Sequence, residues 1–276
     1  MPVMLAVLSP AKKLDFEPAP LALATSEPLL LAETKRLHAV VKKLPAEALG
    51  ALMDLSDDLA ELNWDRFQNW KVDHGPASGN PLRPLKPAIL AFTGEVYAGL
   101  DAPSLDADAL AYAQSHVAVL SGFYGVLRAL DRMRPYRLEM GSRLATKRGK
   151  DLYAFWGARI GETLGDLLAD HADTTLVNLA SNEYFKAVTP NPRLGKVLNL
   201  HFKEVKSGLP TALMLFVKRA RGLMARFMVT ERVDRPRGLQ DFRLGDYRFD
   251  KKLSTPTDWV FTRPYRTAAM ALGDAD

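Results

Sequence analysis

Four short apolar runs, each followed by a small or polar turn, most constrain how this chain folds. They cover residues 3–8, 88–93, 117–121 and 176–180. Apolar runs of this length bounded by turn residues are typical of buried strands, and the intervening segments can form helices. The pattern predicts a mixed α/β (α+β) fold in which helices flank a central sheet. At 276 residues the chain can bury a substantial core, and we interpret residues 1–276 as a single domain.

Local signals predict where the other elements lie. Ser26 is a candidate N-cap for a first helix that has Pro28 near its start. Further helices are predicted over residues 57–70, 152–169 and 216–233, and the Pro- and Gly-rich stretch 71–87 predicts a loop. Towards the C-terminus, DYRFD and DWVF predict short strands or loops.

Polar turns follow the apolar runs, and strand ends of this kind are where α/β proteins usually bind ligands. The turns are SPAK, TGEVY, SGFYG and ASNEYFK, starting at residues 9, 93, 121 and 180. Polar residues in and near these turns are candidates for a small-molecule pocket. They are Lys12, Tyr136, Glu139, Tyr153, Asn178, Ser181, Glu183, Tyr184 and Lys186. The structural alternative is that Ser181 caps a short helix and Glu183 complements its dipole. Spacing identifies no nucleophile–base pair, so catalytic residues stay unassigned.

Basic side chains are concentrated in the second half of the chain. Residues 1–127 carry 10 basic and 15 acidic side chains, whereas residues 128–276 carry 27 basic and 17 acidic ones. The stretch 128–150 alone holds eight Lys and Arg residues against two acidic ones, and KRARGLMARF, residues 218–227, holds four without an acidic neighbour. Clusters of this kind predict contact with a polyanion.

We interpret these clusters as contacts to the DNA phosphate backbone, made without preference for base sequence. The glycines of SGFYG are candidates for the hairpin of a helix-hairpin-helix element, whose amide N–H groups would face a phosphate. The candidate DNA-binding residues are Gly122, Gly125, Arg128, Arg137, Lys147, Arg148, Lys150, Lys218, Arg219, Arg221 and Arg226. Two structural alternatives remain open: SGFYG as a tight strand-to-helix turn, and residues 218–227 as an ordinary solvated helix face.

Composition excludes or disfavours several classes of site. The chain has no cysteine, which excludes disulfides, thiolate nucleophiles and cysteine-ligated zinc or iron–sulfur centres. The five histidines show neither HxH nor HxxxH spacing, so we predict no metal site. Neither GxGxxG nor GxxxxGK[ST] occurs, and no cofactor is predicted. No apolar run approaches the roughly 18 residues that span a bilayer, and the stretch MPVMLAVLSPAKK has its charges after its apolar residues, unlike a secretory signal. Both features favour a cytoplasmic protein without a membrane partner.

Six blocks of the sequence resemble the YaaA family of peroxide-stress proteins, in the order that this family has them. They are SPAKKLD, LMDLSDDLAELNWDRF, AFTGEVYAGL, the basic block 121–157, NLASNEYFKAV and KRARGLMARF. The departures are small: Lys13, Glu95 and Ala129 stand where the family usually has Thr, Asp and Pro. The resemblance implies a cytoplasmic protein that limits reactive iron and oxidative DNA damage during hydrogen peroxide stress. It also implies DNA binding through a mixed α/β fold with a helix-hairpin-helix element and a positively charged cleft.

The preferred hypothesis is therefore a DNA-binding protein of the peroxide-stress response. One alternative is an enzyme acting on an anionic or nucleotide-like substrate. Its pocket would be formed around Lys12, Glu139, Glu183, Tyr184 and Lys186. Another is a protein-interaction factor that acts on iron handling. The sequence leaves the reaction, the preferred DNA form and the oligomeric state open.

Overall fold

A central sheet organises the computed structural model, which describes residues 4–18, 23–72 and 84–265. The strands of the structure are β1 (Leu5–Leu8), β2 (Lys13–Leu14), β3 (Lys86–Pro87), β4 (Phe92–Thr93), β5 (Val117–Ser121), β6 (Gly125–Arg128), β7 (Arg132–Met133), β8 (Leu176–Leu179), β9 (Val197–Lys206), β10 (Leu209–Thr211), β11 (Arg248–Asp250) and β12 (Asp258–Pro264). β2 with β4 and β3 with β7 form two small sheets apart from the central one. The α-helices are α1 (Leu31–Val41), α2 (Ala46–Met53), α3 (Asp57–Asn69), α4 (Ala88–Ala91), α5 (Glu95–Leu100), α6 (Ala107–His116), α7 (Leu152–Trp156), α8 (Arg159–Ala169), α9 (Asn182–Phe185) and α10 (Met214–Thr230). None of these helices is long and apolar enough to cross a membrane.

Five parallel strands form the middle of the sheet, in the order β5-β1-β8-β9-β12. β6 pairs antiparallel with β5 at one edge, β11 pairs antiparallel with β12 at the other, and β10 adds a hairpin to β9. Every residue of β1 is buried, as expected for a parallel strand covered on both faces. The mixed α/β prediction is confirmed, and three of the four apolar runs form β1, β5 and β8.

The fourth apolar run does not join this sheet. Ala88–Ala91 forms one buried helical turn, α4, and Phe92–Thr93 forms β4, which pairs with β2. A short run that is apolar throughout has no periodicity that separates a buried helix from a strand. The strand prediction for this run was therefore wrong, although the TGEVY turn still follows it.

Local contacts correct two helix predictions. Ser26 does not cap a helix, because its hydroxyl donates to the buried carboxylate of Asp131 at 2.6 Å, and α1 begins only at Leu31. The helix predicted over 152–169 is split into α7 and α8, since Gly157 between them has a φ of 52°.

The remaining predictions of elements agree with the structure where it describes them. α3 and α10 confirm the helices predicted over 57–70 and 216–233, and β11 and β12 confirm DYRFD and DWVF as short strands. The loop predicted over 71–87 lies mostly outside the described residues. Its last two residues pair with β7 as β3.

The SGFYG segment is a turn between β5 and β6, with a strand on each side. It is buried in the core: a Cβ on Gly122 would lie 2.3 Å from the carbonyl oxygen of Leu138, and the Trp156 indole donates to the Gly122 carbonyl at 3.0 Å. The prediction of a helix-hairpin-helix at Gly122 and Gly125 is therefore wrong. The glycines are required by close packing inside the protein.

Helices α2 and α3 do form a helical hairpin, through the turn Asp54, Leu55 and Ser56. Asp54 ends α2 in the left-handed conformation, and Asp57 and Asp58 occupy the first turn of α3. Carboxylates at this helix N-terminus complement its own dipole and repel a phosphate. This hairpin therefore lacks the electrostatics of a phosphate-binding element.

Helix α10 crosses α5 with the two backbones in contact. A Cβ on Gly222 would lie 1.8 Å from the carbonyl oxygen of Val96, and a Cβ on Gly99 would lie 2.2 Å from that of Arg219. The sequence suggests that a glycine in KRARGLMARF lets another backbone come close. That backbone belongs to α5, and the contact fixes the position of the charged face of α10.

We expect Gly222→Ala to destabilise the fold by about 2 kcal/mol or more, because the added methyl group meets backbone that cannot move aside. Helix propensity alone would change stability by about 1 kcal/mol in the opposite direction. Urea denaturation followed by circular dichroism measures the difference. Lys218→Ala, an exposed change on the same helix, is the control and should stay within about 0.5 kcal/mol of the parent. A Gly222→Ala variant as stable as the parent would show that the crossing is not close-packed.

Candidate anion-binding site

A cavity of about 400 Å³ lies beyond the carboxyl ends of β1 and β8. The chain passes from β1 to β5 on one side and returns to β8 on the other, so the cavity sits where strand order reverses. Five segments line it: residues 9–13 after β1, residues 93–96 at the start of α5, residues 136–139, the turn at Ser181, Glu183 and Tyr184, and Met214, Lys218 and Arg221 of α10.

Hydrogen bonds between the turns after β1 and β8 form the base of the cavity. The Ser181 amide donates to the Ser9 hydroxyl at 2.8 Å, and that hydroxyl donates to the Ser181 hydroxyl at 3.2 Å. The Tyr97 hydroxyl donates to the Ser9 carbonyl at 3.0 Å and so ties α5 to the same point. Ser181 precedes α9, but its hydroxyl makes no cap bond to that four-residue helix. The capping alternative for Ser181 is therefore wrong.

Ser121, at the end of β5, supports the cavity from behind Tyr136. Its oxygen accepts from the amides of Tyr124 at 2.8 Å and Phe123 at 3.2 Å, and lies 2.6 Å from the Tyr136 hydroxyl oxygen. A hydroxyl that accepts two bonds has one proton left, which Ser121 directs to the phenol oxygen. The Tyr136 proton is then available to a group inside the cavity.

Three phenols near the cavity hold their protons tightly. Burial raises the pKa of Tyr97, Tyr136 and Tyr184, and the proximity of Tyr136 to each of the other two raises theirs further. All three groups are therefore neutral hydrogen-bond donors at physiological pH. Neutral donors suit an anionic ligand.

Cationic side chains from three segments meet in the cavity. The Glu139 carboxylate accepts an ion pair from Lys12 at 3.1 Å and a second from Arg137 at 3.3 Å. Met214, Lys218 and Arg221 stand on one face of α10, at helical spacings of four and three residues. The sequence prediction placed Lys218 and Arg221 on a DNA-binding helix, whereas the structure places them in the same cavity as Lys12 and Glu139.

Arg221 differs from the other basic residues of the cavity. It is half-buried, its Nε is inaccessible to solvent, and it has no hydrogen bond or ion pair to any residue in the described ranges. Burial lowers its pKa, since no carboxylate compensates the charge. The Nε of Arg137 is buried without a partner as well, although its Nη2 reaches Glu139. Two guanidinium groups thus keep N–H donors that no described residue accepts.

Glu183 is held from outside the cavity by a glycine. Its Oε1 accepts from the Gly141 amide at 2.9 Å, and a Cβ on Gly141 would lie 3.2 Å from that oxygen. The bond joins the basic block 121–157 to the turn after β8. It does not involve the second carboxylate oxygen of Glu183.

Three residues predicted for the pocket lie beside the cavity and do not line it. The Tyr153 hydroxyl donates to the Glu183 carbonyl at 2.9 Å, and the Lys186 ammonium lies 4.8 Å from the centre of the Tyr153 ring. Asn178 joins β8 to β9 through a 2.9 Å bond to Asn199. These side chains support the walls. Of the pocket prediction, Lys12, Tyr136, Glu139, Ser181, Glu183 and Tyr184 do line the cavity.

The predicted DNA-binding cations divide into two groups. Three of them stabilise the fold: Arg128 pairs with buried Asp131 at 2.9 Å, Arg148 pairs with Glu33 at 2.5 Å, and Arg226 donates to the Leu100 and Asp101 carbonyls at the end of α5. The others remain accessible, with Arg137, Lys218 and Arg221 in the cavity, Arg219 on the adjoining face of α10, and Lys147 and Lys150 exposed in the loop before α7.

Several residues that line the cavity carry only weak signals in the sequence. Ser9, Thr93, Glu95 and Met214 are the clearest cases. The turns SPAK and TGEVY contain the first three, so the signal was their position after apolar runs. Met214 carries no such signal, because it looks like an ordinary apolar residue at the start of a helix.

Comparison with known proteins agrees with the resemblance seen in the sequence blocks. The family model described as "Peroxide stress protein YaaA" matches residues 4–253. The chain belongs to this family. A UPF0246 protein of Caulobacter vibrioides (strain NA1000 / CB15N) is 48% identical over 263 residues, which cover 95% of this chain and 99% of that protein. A UPF0246 protein of Maricaulis maris (strain MCS10) is 46% identical over 266 residues, covering 96% and 98%.

We expect the buried phenols to ionise only when the protein unfolds. An unfolded tyrosine loses its proton near the ordinary value of 10.0, whereas the folded state holds the protons of Tyr97, Tyr136 and Tyr184 to higher pH. Their contribution to stability is therefore complete below pH 10 and is lost as pH rises above it.

Tyrosinate absorbance measured against pH, together with circular dichroism, checks this prediction. The folded protein should show one group of tyrosines that titrates early and a second that appears with unfolding. In denaturant all eight tyrosines should titrate together. A single transition near pH 10 in protein that is still folded would contradict the burial of these groups.

Proposed function

We propose that this member of the peroxide-stress family binds DNA, and that the cavity holds one phosphate group of the backbone. The observation that carries the proposal is Arg221, a half-buried guanidinium in the cavity wall without a partner among the described residues. A buried donor without a partner costs about 1–3 kcal/mol. A phosphate oxygen supplies the missing acceptor, and arginine can bind it through two parallel bonds.

The charges of the cavity favour an anion over a neutral ligand. Five basic side chains line it, Lys12, Lys13, Arg137, Lys218 and Arg221, against the carboxylates Glu95, Glu139 and Glu183. The neutral phenols of Tyr136 and Tyr184 add hydrogen-bond donors that no carboxylate among the described residues accepts. A phosphate therefore meets both positive charge and hydrogen-bond donors within one cavity.

Exposed cations outside the cavity favour a polymer over a single small anion. Arg143, Lys147 and Lys150 are exposed, and none of them forms an ion pair with a described residue. Backbone phosphates repeat along DNA, so neighbouring groups can be neutralised by these side chains while one occupies the cavity. Such contacts carry no base-sequence information.

The proposed link to peroxide stress is electrostatic. A protein that neutralises DNA phosphates releases the cations condensed on them. Ferrous iron among those cations generates damaging oxidants from peroxide at the DNA surface. Displacing it limits reactive iron where it does most harm, without requiring a metal site; the described residues contain no group of three or more metal-binding side chains.

We expect Arg221→Gln to weaken duplex DNA binding by roughly ten-fold or more, since a charge-assisted hydrogen bond to phosphate is worth about 1.5–3 kcal/mol. Fluorescence anisotropy at several salt concentrations measures the affinity. The slope of log K against log[salt] should also become shallower by about one, because one phosphate contact is lost. Two duplexes of unrelated sequence should bind the parent equally well.

Arg219→Gln is the matched control, because it removes the same charge from the same helix outside the cavity wall. Its effect on affinity should be smaller than that of Arg221→Gln. The melting temperature of Arg221→Gln should not fall, as no partner is left behind. Equal DNA affinity in the Arg221→Gln variant and the parent would place the DNA contact elsewhere.

A second candidate function is an enzyme that acts on a nucleotide-like substrate in the same cavity. The observation that favours it is the presence of two carboxylates, Glu139 and Glu183, beside the phenols of Tyr136 and Tyr184. A carboxylate can accept a proton from a bound substrate, and a neutral phenol can donate one. Cations on α10 would then hold the substrate phosphate.

For the enzyme hypothesis, we expect Glu183→Gln to abolish protection of peroxide-stressed cells while DNA affinity and melting temperature stay near those of the parent. Glutamine keeps an oxygen that accepts from Gly141 but cannot take up a proton at neutral pH. Survival of a deletion strain carrying each variant is the measurement, with Glu162→Gln on the exposed side of α8 as control. Full protection by Glu183→Gln would exclude it as a proton acceptor.

A further inference from the structure

The sulfur chemistry of this chain is confined to methionine, and one methionine is unlike the others. There is no cysteine among the 276 residues. Six methionines of the described ranges, Met4, Met53, Met133, Met140, Met224 and Met228, are at most 6% exposed. Met214 is 60% exposed. Since oxidation of a thioether depends on access to the oxidant, Met214 is the reactive one of these seven.

Met214 also lies in the wall of the proposed anion-binding cavity. It is the first residue of α10 and lines the cavity together with Lys218 and Arg221, one and two turns further along the same helix face. Its apolar side chain forms part of the wall, next to a cation that is free to bind a ligand. No described residue forms an ion pair with Lys218.

We propose that Met214 is a peroxide modification site that regulates anion binding in the cavity. Hydrogen peroxide transfers one oxygen atom to the thioether sulfur: the O–O bond breaks, an S–O bond forms, and water leaves. The sulfur loses two electrons, and the peroxide gains them. The product, methionine sulfoxide, is polar and is reversed by methionine sulfoxide reductases.

The sulfoxide changes the cavity in a defined direction. Its oxygen is a hydrogen-bond acceptor with partial negative charge, placed one helical turn from the Lys218 ammonium. It accepts from Lys218 and so competes with a bound phosphate for that cation. Oxidation therefore weakens anion binding. This consequence rests on the proposed function, whereas the selective oxidation of Met214 does not.

The site is tested first by peptide mapping of the folded protein after brief exposure to hydrogen peroxide. Met214 should gain one oxygen atom roughly ten-fold faster than any of the six buried methionines, because exposure sets the rate. Oxidation in urea is the control, where all seven should react at similar rates. Comparable rates in the folded protein, or faster reaction at a buried methionine, would overturn the proposal whatever the protein binds.

The regulatory effect is tested by anisotropy with duplex DNA before and after oxidation, comparing the parent with Met214→Leu. Both proteins keep Met1 and Met270, which lie outside the described residues, so the difference isolates Met214. Oxidation should lower the affinity of the parent by roughly five-fold through the weakened lysine contact and leave Met214→Leu unchanged. Treatment with a sulfoxide reductase should restore it.

Three outcomes are distinguishable. If both unoxidised proteins fail to bind DNA, the proposed function fails, and mapping alone decides whether Met214 is a modification site. If both bind and oxidation affects them equally, the regulatory role of Met214 is wrong. A parent that loses affinity on oxidation while Met214→Leu keeps it supports the whole proposal.

Discussion

The parallel pairing of β1 with β5 on one side and β8 on the other places three strand ends side by side. Each of these ends has a serine at or just after it. Ser9 and Ser181 bind each other, and the Ser121 hydroxyl orients Tyr136. Helix α10 then has to lie above these ends with its charged face inward. The glycine contact between α10 and α5 makes that position possible, since any side chain at Gly222 would force the helices apart.

Arg221 contrasts with several other buried charges of the described residues, which are paired. These pairs are Lys86 with Asp15 at 2.9 Å, Arg128 with Asp131 at 2.9 Å, and Arg263 with Glu204 at 3.1 Å. Pairing offsets the cost of taking a charge out of water. Arg221 carries that cost without a described partner, so it destabilises the fold on its own. A buried guanidinium that lowers the stability of the fold and has no described partner is most simply explained by a bound ligand.

Much of the fold and part of the site could be predicted from the sequence. The strands β1, β5 and β8 can be predicted from the sequence, because a buried parallel strand is apolar throughout and polar residues mark its end. The strand prediction for Ala88–Ala91 is wrong for the same reason, because a buried helical turn is apolar throughout as well. The SGFYG glycines were assigned to DNA because glycine permits close approach, but the sequence does not say which backbone approaches. The backbone that approaches Gly122 is that of Leu138, and the backbone that approaches Gly222 is that of Val96.

The sequence also separated residues that the fold brings together. The sequence assigns Lys218 and Arg221 to DNA binding and Lys12 and Glu139 to a pocket, because these residues lie far apart along the chain and no spacing rule links them. In the structure they line one cavity, so DNA binding and catalysis are not independent hypotheses about two surfaces. Loss of a cavity cation weakens either kind of ligand. Replacing Glu183 by Gln removes the proposed proton acceptor and leaves the proposed phosphate contacts on α10 and at Arg137 in place. A substitution of the carboxylate, and not of the cations, therefore distinguishes catalysis from DNA binding in an experiment.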